Sequence, residues 1–483
     1  MPVLVLKSSN IHTKIIMPTM NIKSKLAAAS VVLIASTTLS GCHIYNKFSL
    51  PEDSALAQEY AQAAQAEVDS TTLGNLPWQQ VFTDPMLQDM IQQALESNVD
   101  LANAKLNVDV AHANMLGARL SYLPSVALSP NGAGSSVAWS SLTWTYQIPL
   151  SVSWEIDIFG KLLNNKRGAE ATYEQVKDYE QAVRSQIIGA VANCYYAISS
   201  AKAQLYLQRE TAEKWEKSVQ IMKDMKEAGS TTEAAVVQSE AQYYSILASI
   251  TDLETALDKL NSTMSLLLNV MPQNWEIAAG LSLEMPCQLT AGVPMSALAQ
   301  RPDIRASERA VAVAYYATNS ARAAFYPSLT ITATGGFTNS FGTFIKNPGD
   351  WFANLAGSLT APLFARGQNI ARLKATKAQQ QQAMNNFEYS LLSASAEVSD
   401  ALTAYNNYTN KRSLLDTQVQ YMTRAVDVTE TLFANSAATY STTYLEVLTA
   451  QQSLLSAQMG YISCGLSRSQ AIINLYQSLG GGR

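Results

Sequence analysis

Residues 143–158 read T-W-T-Y-Q-I-P-L-S-V-S-W-E-I-D-I, and no other stretch restricts the fold as tightly. Trp144, Tyr146, Ile148, Leu150, Val152, Trp154, Ile156 and Ile158 alternate without a break with Thr143, Thr145, Gln147, Pro149, Ser151, Ser153, Glu155 and Asp157. Period two is the side-chain period of a β-strand. Strands of soluble domains run about five or six residues, whereas roughly 9–11 suffice to cross a bilayer at a tilt. Trp and Tyr stand near the ends of the apolar set, as on lipid-facing strands, and Glu155 and Asp157 on the other set suit a water-filled lumen. A strand of an ordinary sandwich has the same period, so the rest of the chain decides between the two.

The chain has 483 residues. Residues 1–41 hold four lysines (Lys7, Lys14, Lys23, Lys25) and no acid, so 29 basic and 38 acidic residues remain from Cys42 onward, a net charge of −9. That balance argues against a nucleic-acid partner. Lys23 and Lys25 followed by the apolar and small run 26–39 have the form of a signal peptide. The run ends in Leu39-Ser40-Gly41-Cys42, which resembles the bacterial lipobox, in which the cysteine is lipidated and becomes the new N-terminus. Residues 1–41 are thus expected to be removed, and Cys42 to carry the lipid. Residues 1–16 add nothing that a signal peptide needs, so Met17 and Met20 are candidate starts. No other run reaches the roughly 20 apolar residues of a membrane helix. Cys194, Cys287 and Cys464 are far apart, with no C-x-x-C, and suggest neither zinc nor a disulfide framework. His43 and His112 are the histidines left after cleavage, too few for a histidine-based metal or triad site. There is no phosphate loop and no nucleophile elbow, so neither an enzyme nor a cofactor is expected.

Residues 42–83, with Pro51, Gly74 and Pro77, read as an extended N-terminal arm with a short helix. From Asp84 the pattern turns helical through Leu87, Ile91 and Leu95 and continues from Leu101 to Leu120. Ser125–Ser129 reads as a short strand, Asn131-Gly132-Ala133-Gly134 as a turn, and 143–158 as a long strand. Gly160 to Ala228 contains no proline and predicts one helix of roughly 100 Å at about 1.5 Å per residue. Gly229-Ser230-Thr231-Thr232 interrupts it. A heptad run then follows (Val236, Tyr243, Ile246, Ile250, Leu253, Leu257, Leu260, Met264, Leu267), broken in spacing only at Ser239. Residues 270–294 form a proline-bearing connector.

The chain then repeats itself. Ala321-Arg322 precedes Pro327-Ser328 at the spacing of Ala118-Arg119 before Pro124-Ser125. Residues 328–334 alternate, with Gly335-Gly336 and Asn347-Pro348-Gly349 bracketing a loop, and a second strand is expected over about 351–364, with Leu355, Leu359 and Leu363 on one face. A helix is expected from about Asn369 to Asn435, a turn at Ser441-Thr442-Thr443, and a last heptad helix from Leu445 to Tyr476. The C-terminal Gly480-Gly481-Gly482 reads as a frayed tail within 480–483. The organisation is therefore two copies, 84–269 and 295–479, of helix, two strands and a long helical hairpin.

Four strands cannot close a barrel, and an open sheet edge is not tolerated in hydrocarbon. Three chains give twelve strands and an aqueous bore, whereas an eight-stranded dimer is filled by its own side chains. The long helices leave the strands directly and would continue the wall as a helical tube. At this point the chain resembles a family. Pro124-Ser125, the stretch from Trp154 to Lys161, Arg301-Pro302-Asp303-Ile304, the stretch from Phe325 to Leu329 and the stretch from Tyr444 to Gln451 are similar to motifs of the TolC-like outer-membrane efflux proteins, and the lipobox points to their lipoprotein branch, of the NodT or OprM kind. The resemblance covers essentially the whole mature chain. It implies an α+β membrane protein: a homotrimer with a twelve-stranded outer-membrane β-barrel, four strands per chain, continuing into a long periplasmic α-helical barrel of antiparallel coiled-coil hairpins. It implies an exit duct for drugs or other small molecules in a tripartite efflux pump, with a periplasmic adaptor (membrane fusion protein) and an inner-membrane transporter, most often of the proton-driven resistance-nodulation-division class. One departure stands out: relatives often carry Arg-Tyr-x-x-Gly before the second tip, where residues 434–440 here read A-N-S-A-A-T-Y.

Such a duct performs no chemistry; a narrow periplasmic end dilates when the adaptor docks, as a two-state element biased by a partner. Gly229, Ser230, Thr231 and Thr232, with Ser441, Thr442 and Thr443, are the candidate docking tips, their small side chains admitting adaptor helices closely. Asp427 and Glu430 are the candidate gate, since rings of symmetry-related acids narrow a pore and favour cations. A plain helical turn and a solvated helix face account for the same residues. Two further readings stand beside the pump duct: an outer-membrane duct for an ATP-driven type I protein secretion system, and a lipid-anchored coiled-coil scaffold without a pore.

Overall fold

The computed structural model describes residues 45–51, 54–64, 73–136, 141–286, 295–339, 350–434 and 443–482. Cys42, Ser441 and Thr442 lie outside them, as do His43, Cys287 and residues 434–440 apart from the backbone of Ala434. The chain divides into two compact units. Of the described residues, one unit gathers those within 45–47, 122–161 and 323–363; the other gathers those within 48–121, 162–322 and 364–482.

The first unit is a sheet of β1 (Ser125–Leu128), β2 (Asn131–Ser135), β3 (Thr143–Ile156), β4 (Ser328–Asn339) and β5 (Asp350–Thr360). Neighbours pair antiparallel, β1 and β2 with β3, β3 with β4, and β4 with β5. Asn131-Gly132-Ala133-Gly134, expected as a turn, is the strand β2. Its pairs Asn131↔Gln147 and Gly134↔Trp144 continue the register of Leu128↔Leu150. Pairing with a long neighbour overrides the local turn propensity of glycine and asparagine. Between the two segments the Ser129 N–H donates to the Pro149 carbonyl at 3.1 Å, and Pro130 has no N–H to give. β1 and β2 are thus one strand interrupted at a proline, which keeps the count at four.

Gly335-Gly336, expected at a loop margin, lies inside β4. Gly336 pairs with Pro149, and a Cβ on it would stand 2.2 Å from the Ile148 carbonyl oxygen. Here glycine marks a close approach of two backbones rather than a chain reversal. β3 stops at Ile156, two residues before the expected end, because the Ile158 N–H turns back to the Ile156 carbonyl at 3.0 Å ahead of Gly160 at φ +72°. β5 ends at Thr360, so Leu363 falls beyond the strand.

The second unit is helical: α1 (Ala55–Ala63), α2 (Trp78–Val81), α3 (Pro85–Ser97), α4 (Val99–Leu120), α5 (Lys161–Glu227), α6 (Glu233–Leu267), α7 (Met295–Ala299), α8 (Pro302–Ala323), α9 (Gln368–Ala434) and α10 (Tyr444–Ser478). The helices come in matched lengths: 22 residues in α4 and α8, 67 in α5 and α9, 35 in α6 and α10. The single helical run expected from Asp84 is broken at Asn98. Its side-chain oxygen accepts from the Asp100 and Leu101 N–H groups at 2.9 and 3.3 Å, and its amide donates to the Leu267 carbonyl at 3.0 Å. A local cap competes with helix continuation and wins. Ser239, expected to break the α6 stripe, is itself fully buried on it, its hydroxyl satisfied by the Ala235 carbonyl at 2.9 Å.

Two apolar clusters hold this unit. The larger joins Tyr60, Phe82, Tyr195, Phe387 and Tyr476; the smaller joins Trp215, Met222, Val236, Ile246, Tyr444 and Val447 near the hairpin ends. Gly480–Gly482, expected to fray, are buried. The Gly482 N–H donates to the Tyr476 hydroxyl at 2.8 Å, and the Gly481 carbonyl accepts from the Ser185 hydroxyl. Satisfied backbone groups are what permit such a segment inside. No helix among the described residues is long and apolar enough to cross a membrane.

Candidate functional site

The strand registers sort the sheet into two faces. One row holds Val126, Val152, Ala333 and Leu355; another holds Leu128, Leu150, Gly335 and Ala353. The intervening rows hold Ser125, Ser153, Thr332 and Ala356, then Ala127, Ser151, Thr334 and Asn354, then Asn131, Gln147, Thr338 and Asp350. The apolar face is uncovered: Trp144, Leu128, Trp351 and Leu355 are each more than half exposed. Trp144 and Trp154 on that face are ten residues apart, roughly 33 Å along a strand at about 3.3 Å per residue. A tilt near 40° reduces this to roughly 25 Å, the height of the apolar band that aromatic girdles flank in outer-membrane strands. Both lateral edges, β1/β2 and β5, have no partner strand among the described residues.

Glu155 lies on the hydroxyl-rich face, in the row of Thr330 and Ser358. It is half-buried and accepts from the Lys161 ammonium at 2.9 Å, so its charge is locally compensated. Asp157 lies past the end of β3 and shares no row with it. The alternation expected over 328–334 runs further: the Ser and Thr of the polar face continue through Gly336 to Thr338, a signal hidden by the two glycines.

The first tip is built by glycine and threonine in their specific roles. Gly229 adopts φ +73°, in the left-handed region, where its N–H meets the Lys226 carbonyl at 2.9 Å and the Ser230 N–H meets the Met225 carbonyl at 2.7 Å. This closes the C-terminus of α5. Thr232 then caps α6, its hydroxyl accepting from the Ala235 N–H at 3.4 Å. Gly229, Ser230 and Thr232 are exposed and Thr231 is half-buried. Lys226 pairs with Glu233, and Lys223 with Glu240 at 2.8 Å, fastening the two arms. At the second tip Thr443 is exposed, and its N–H donates to the Glu446 carboxylate at 3.3 Å.

Asp427 and Glu430 are exposed on α9 and line a groove of about 510 Å³ shared with α5 and α10, together with Glu210, Lys214, Trp215 and Gln451. The Gln451 amide donates to Glu430 at 2.8 Å, tying α10 to α9. Tyr444 is held protonated: burial raises its pKa, and the nearby Glu430 adds to this against the hydrogen bond from Ser218. The Trp215 Nε1 and the Gln451 Oε1 are buried without a hydrogen-bond partner among the described residues. Both lie at the seam where α5 meets α9 and α10. Residue spacing gave no sign of that seam, because its members come from three distant helices.

Comparison with known proteins bears on the chain as a whole. The profile described as "Outer membrane efflux protein" matches residues 90–270 and 293–481. The chain is 28% identical over 477 residues to the "Probable outer membrane lipoprotein SilC" of Salmonella typhimurium, covering 95% of this chain and 99% of that one. It is 28% identical over 461 residues to the "Cation efflux system protein CusC" of Escherichia coli strain K12, covering 92% and 97%. A crystal structure of CusC superposes with a TM-score of 0.78 at 25% identity, over 90% of this chain and 98% of that one. The open-state MtrE outer membrane channel of Neisseria gonorrhoeae superposes with a TM-score of 0.77 at 26% identity, over 86% and 94%.

Proposed function

The chain belongs to the outer membrane efflux protein family, and on that premise we propose that it works as a homotrimeric exit duct, its twelve strands closed around a bore and its helical hairpins standing in the periplasm. One observation carries this reading: a sheet with an uncovered apolar face, an opposite face rich in hydroxyls, and two edges unpaired among the described residues. A soluble sheet buries its apolar face; this one presents it outward, the arrangement that lipid outside and water inside require. Pairing β5 of one copy with β1/β2 of the next satisfies both edges and closes the barrel without an end.

Efflux across the outer membrane is the function of the family, and the role is transport, not catalysis. The relatives' names are those of efflux proteins, which favours small-molecule efflux over the protein-secretion duct, and the two-faced sheet disfavours a scaffold without a pore. In our reading Cys42 carries the lipid in the outer membrane, the tips at 229–232 and 441–443 receive a periplasmic adaptor, and a proton-driven transporter of the resistance-nodulation-division class feeds the duct. Asp427 and Glu430 are its gate. The groove that they line between α5, α9 and α10, crossed by the exposed Gln451–Glu430 hydrogen bond, supports this, because an exposed contact is one that a docking partner can exchange for another.

The test is the mass of the protein in detergent and its conductance in a planar bilayer. A trimer is expected, with low conductance that rises when Asp427 or Glu430 is replaced by alanine. A trimer whose conductance ignores both changes would keep the duct and discard the gate. A monomer that inserts nowhere would overturn the barrel.

A further inference from the structure

One row of the polar face differs from its neighbours. Pro149 of β3 pairs with Gly336 of β4, and Gly336 with Phe352 of β5. The rows on either side carry Ser151, Thr334 and Asn354, and Gln147, Thr338 and Asp350. Phe352 is the one aromatic side chain on that face among the described residues of the strands. It is also the one residue of β5 that is not exposed. Its cross-strand neighbour Gly336 has no side chain, and the Ile148 carbonyl leaves no room for a Cβ there. Phe352 follows the start of β5 by two residues, at the end of the sheet where β4 leads to β5, while Pro149 of the same row is at the middle of β3.

We propose that Phe352 is a specificity-determining residue of the duct: three copies form an apolar collar near its outer end, on a face that otherwise carries hydroxyl and amide groups and the acids Asp350 and Glu155. This rests on the trimeric-duct reading. The hydroxyl rows treat polar solutes of either charge alike, and a ring of Asp350 favours cations whether or not they carry an apolar part. The collar adds a contact that amphipathic solutes use and small hydrated ions do not, and its rings offer their faces to organic cations. The chemical class it favours is therefore a solute with an aromatic or alkyl part, above all a quaternary or protonated amine.

Full-length protein in planar bilayers tests this, with benzyltrimethylammonium and tetramethylammonium as probes on the outer side. In the native protein the benzyl compound is expected to block at a concentration about 2–5-fold lower than in Phe352→Ser, from the loss of aromatic contact, while block by tetramethylammonium changes less. Phe352→Leu keeps an apolar collar but removes the ring, and is expected to lose the difference between the probes. Equal block of native and Phe352→Ser by both probes would overturn the collar. A second measurement separates that result from failure of the duct itself: labelling of Phe352→Cys and Leu355→Cys by a membrane-impermeant maleimide on intact cells. Labelling at 352 and not at 355 is expected. The reverse pattern would show the faces exchanged and overturn the collar and the barrel together.

Discussion

Gly336 shows how much a missing side chain decides. Its Cβ would lie 2.2 Å from the Ile148 carbonyl oxygen and 2.9 Å from the Pro149 Cα, both backbone atoms that a rotamer change cannot move. Next to it, the nearest atom to a Cβ on Gly335 is the Phe352 carbonyl at 3.6 Å, an ordinary contact. Gly336→Ala is therefore expected to destabilise the sheet by about 1–3 kcal/mol, the range of overpacking, and Gly335→Ala to leave it nearly unchanged. Thermal unfolding of the detergent-solubilised trimer measures both. Equal effects would mean that chain flexibility, and not the close approach, is what the pair provides. At this scale the sequence concealed the most. The alternation of 143–158 declares its two faces unaided, but the use of Gly336 and the place of Phe352 depend on partners roughly two hundred residues away or on another strand. Nor does a stretch of sequence show that Glu155 meets Lys161, or that Asp157 falls just past the strand.

Helices and strands are held by fewer but stronger constraints, which is why most of them were legible. An uninterrupted run from 160 to 228 without proline leaves a long helix as the economical reading, and α5 fills it. The exceptions share a cause: a side chain or a neighbour supplied hydrogen bonds that local propensity does not count. Asn98 ends one helix and begins another; β3 recruits the glycine-rich 131–135 as a strand. The tie between α5 and α8 is of the same kind. Asp178 on α5 is 3% exposed and faces Arg305 and Arg309 of α8. Burial raises its pKa above the ordinary 3.8 more than the two arginines lower it. With the folded value above the unfolded one, its contribution to stability is complete below about pH 4 and is lost as pH rises through the folded value. Measured against Asp178→Asn, which does not titrate, the melting temperature of the native protein is expected to fall as pH rises from about 4 toward neutrality. A constant difference across that range would show that the arginines dominate the site after all.

The whole molecule is set by duplication. Each half contributes a 22-residue, a 67-residue and a 35-residue helix, and the cluster of Trp215, Met222 and Val236 with Tyr444, Val447 and Leu448 brings the two hairpin ends side by side. This has a consequence for how the chain can change length over evolutionary time. Removing seven residues from one arm shortens it by about 10.5 Å and leaves its companion overhanging, while a heptad seam forgives only whole heptads. Insertions and deletions in the four arms are thus coupled to one another across more than two hundred positions. A seven-residue deletion confined to α5 is expected to abolish assembly, scored as loss of trimer in detergent. The same deletion made in α5, α6, α9 and α10 together is expected to restore it in a shorter protein. Failure of the fourfold deletion would mean that local packing, rather than matched reach, governs the length of these arms.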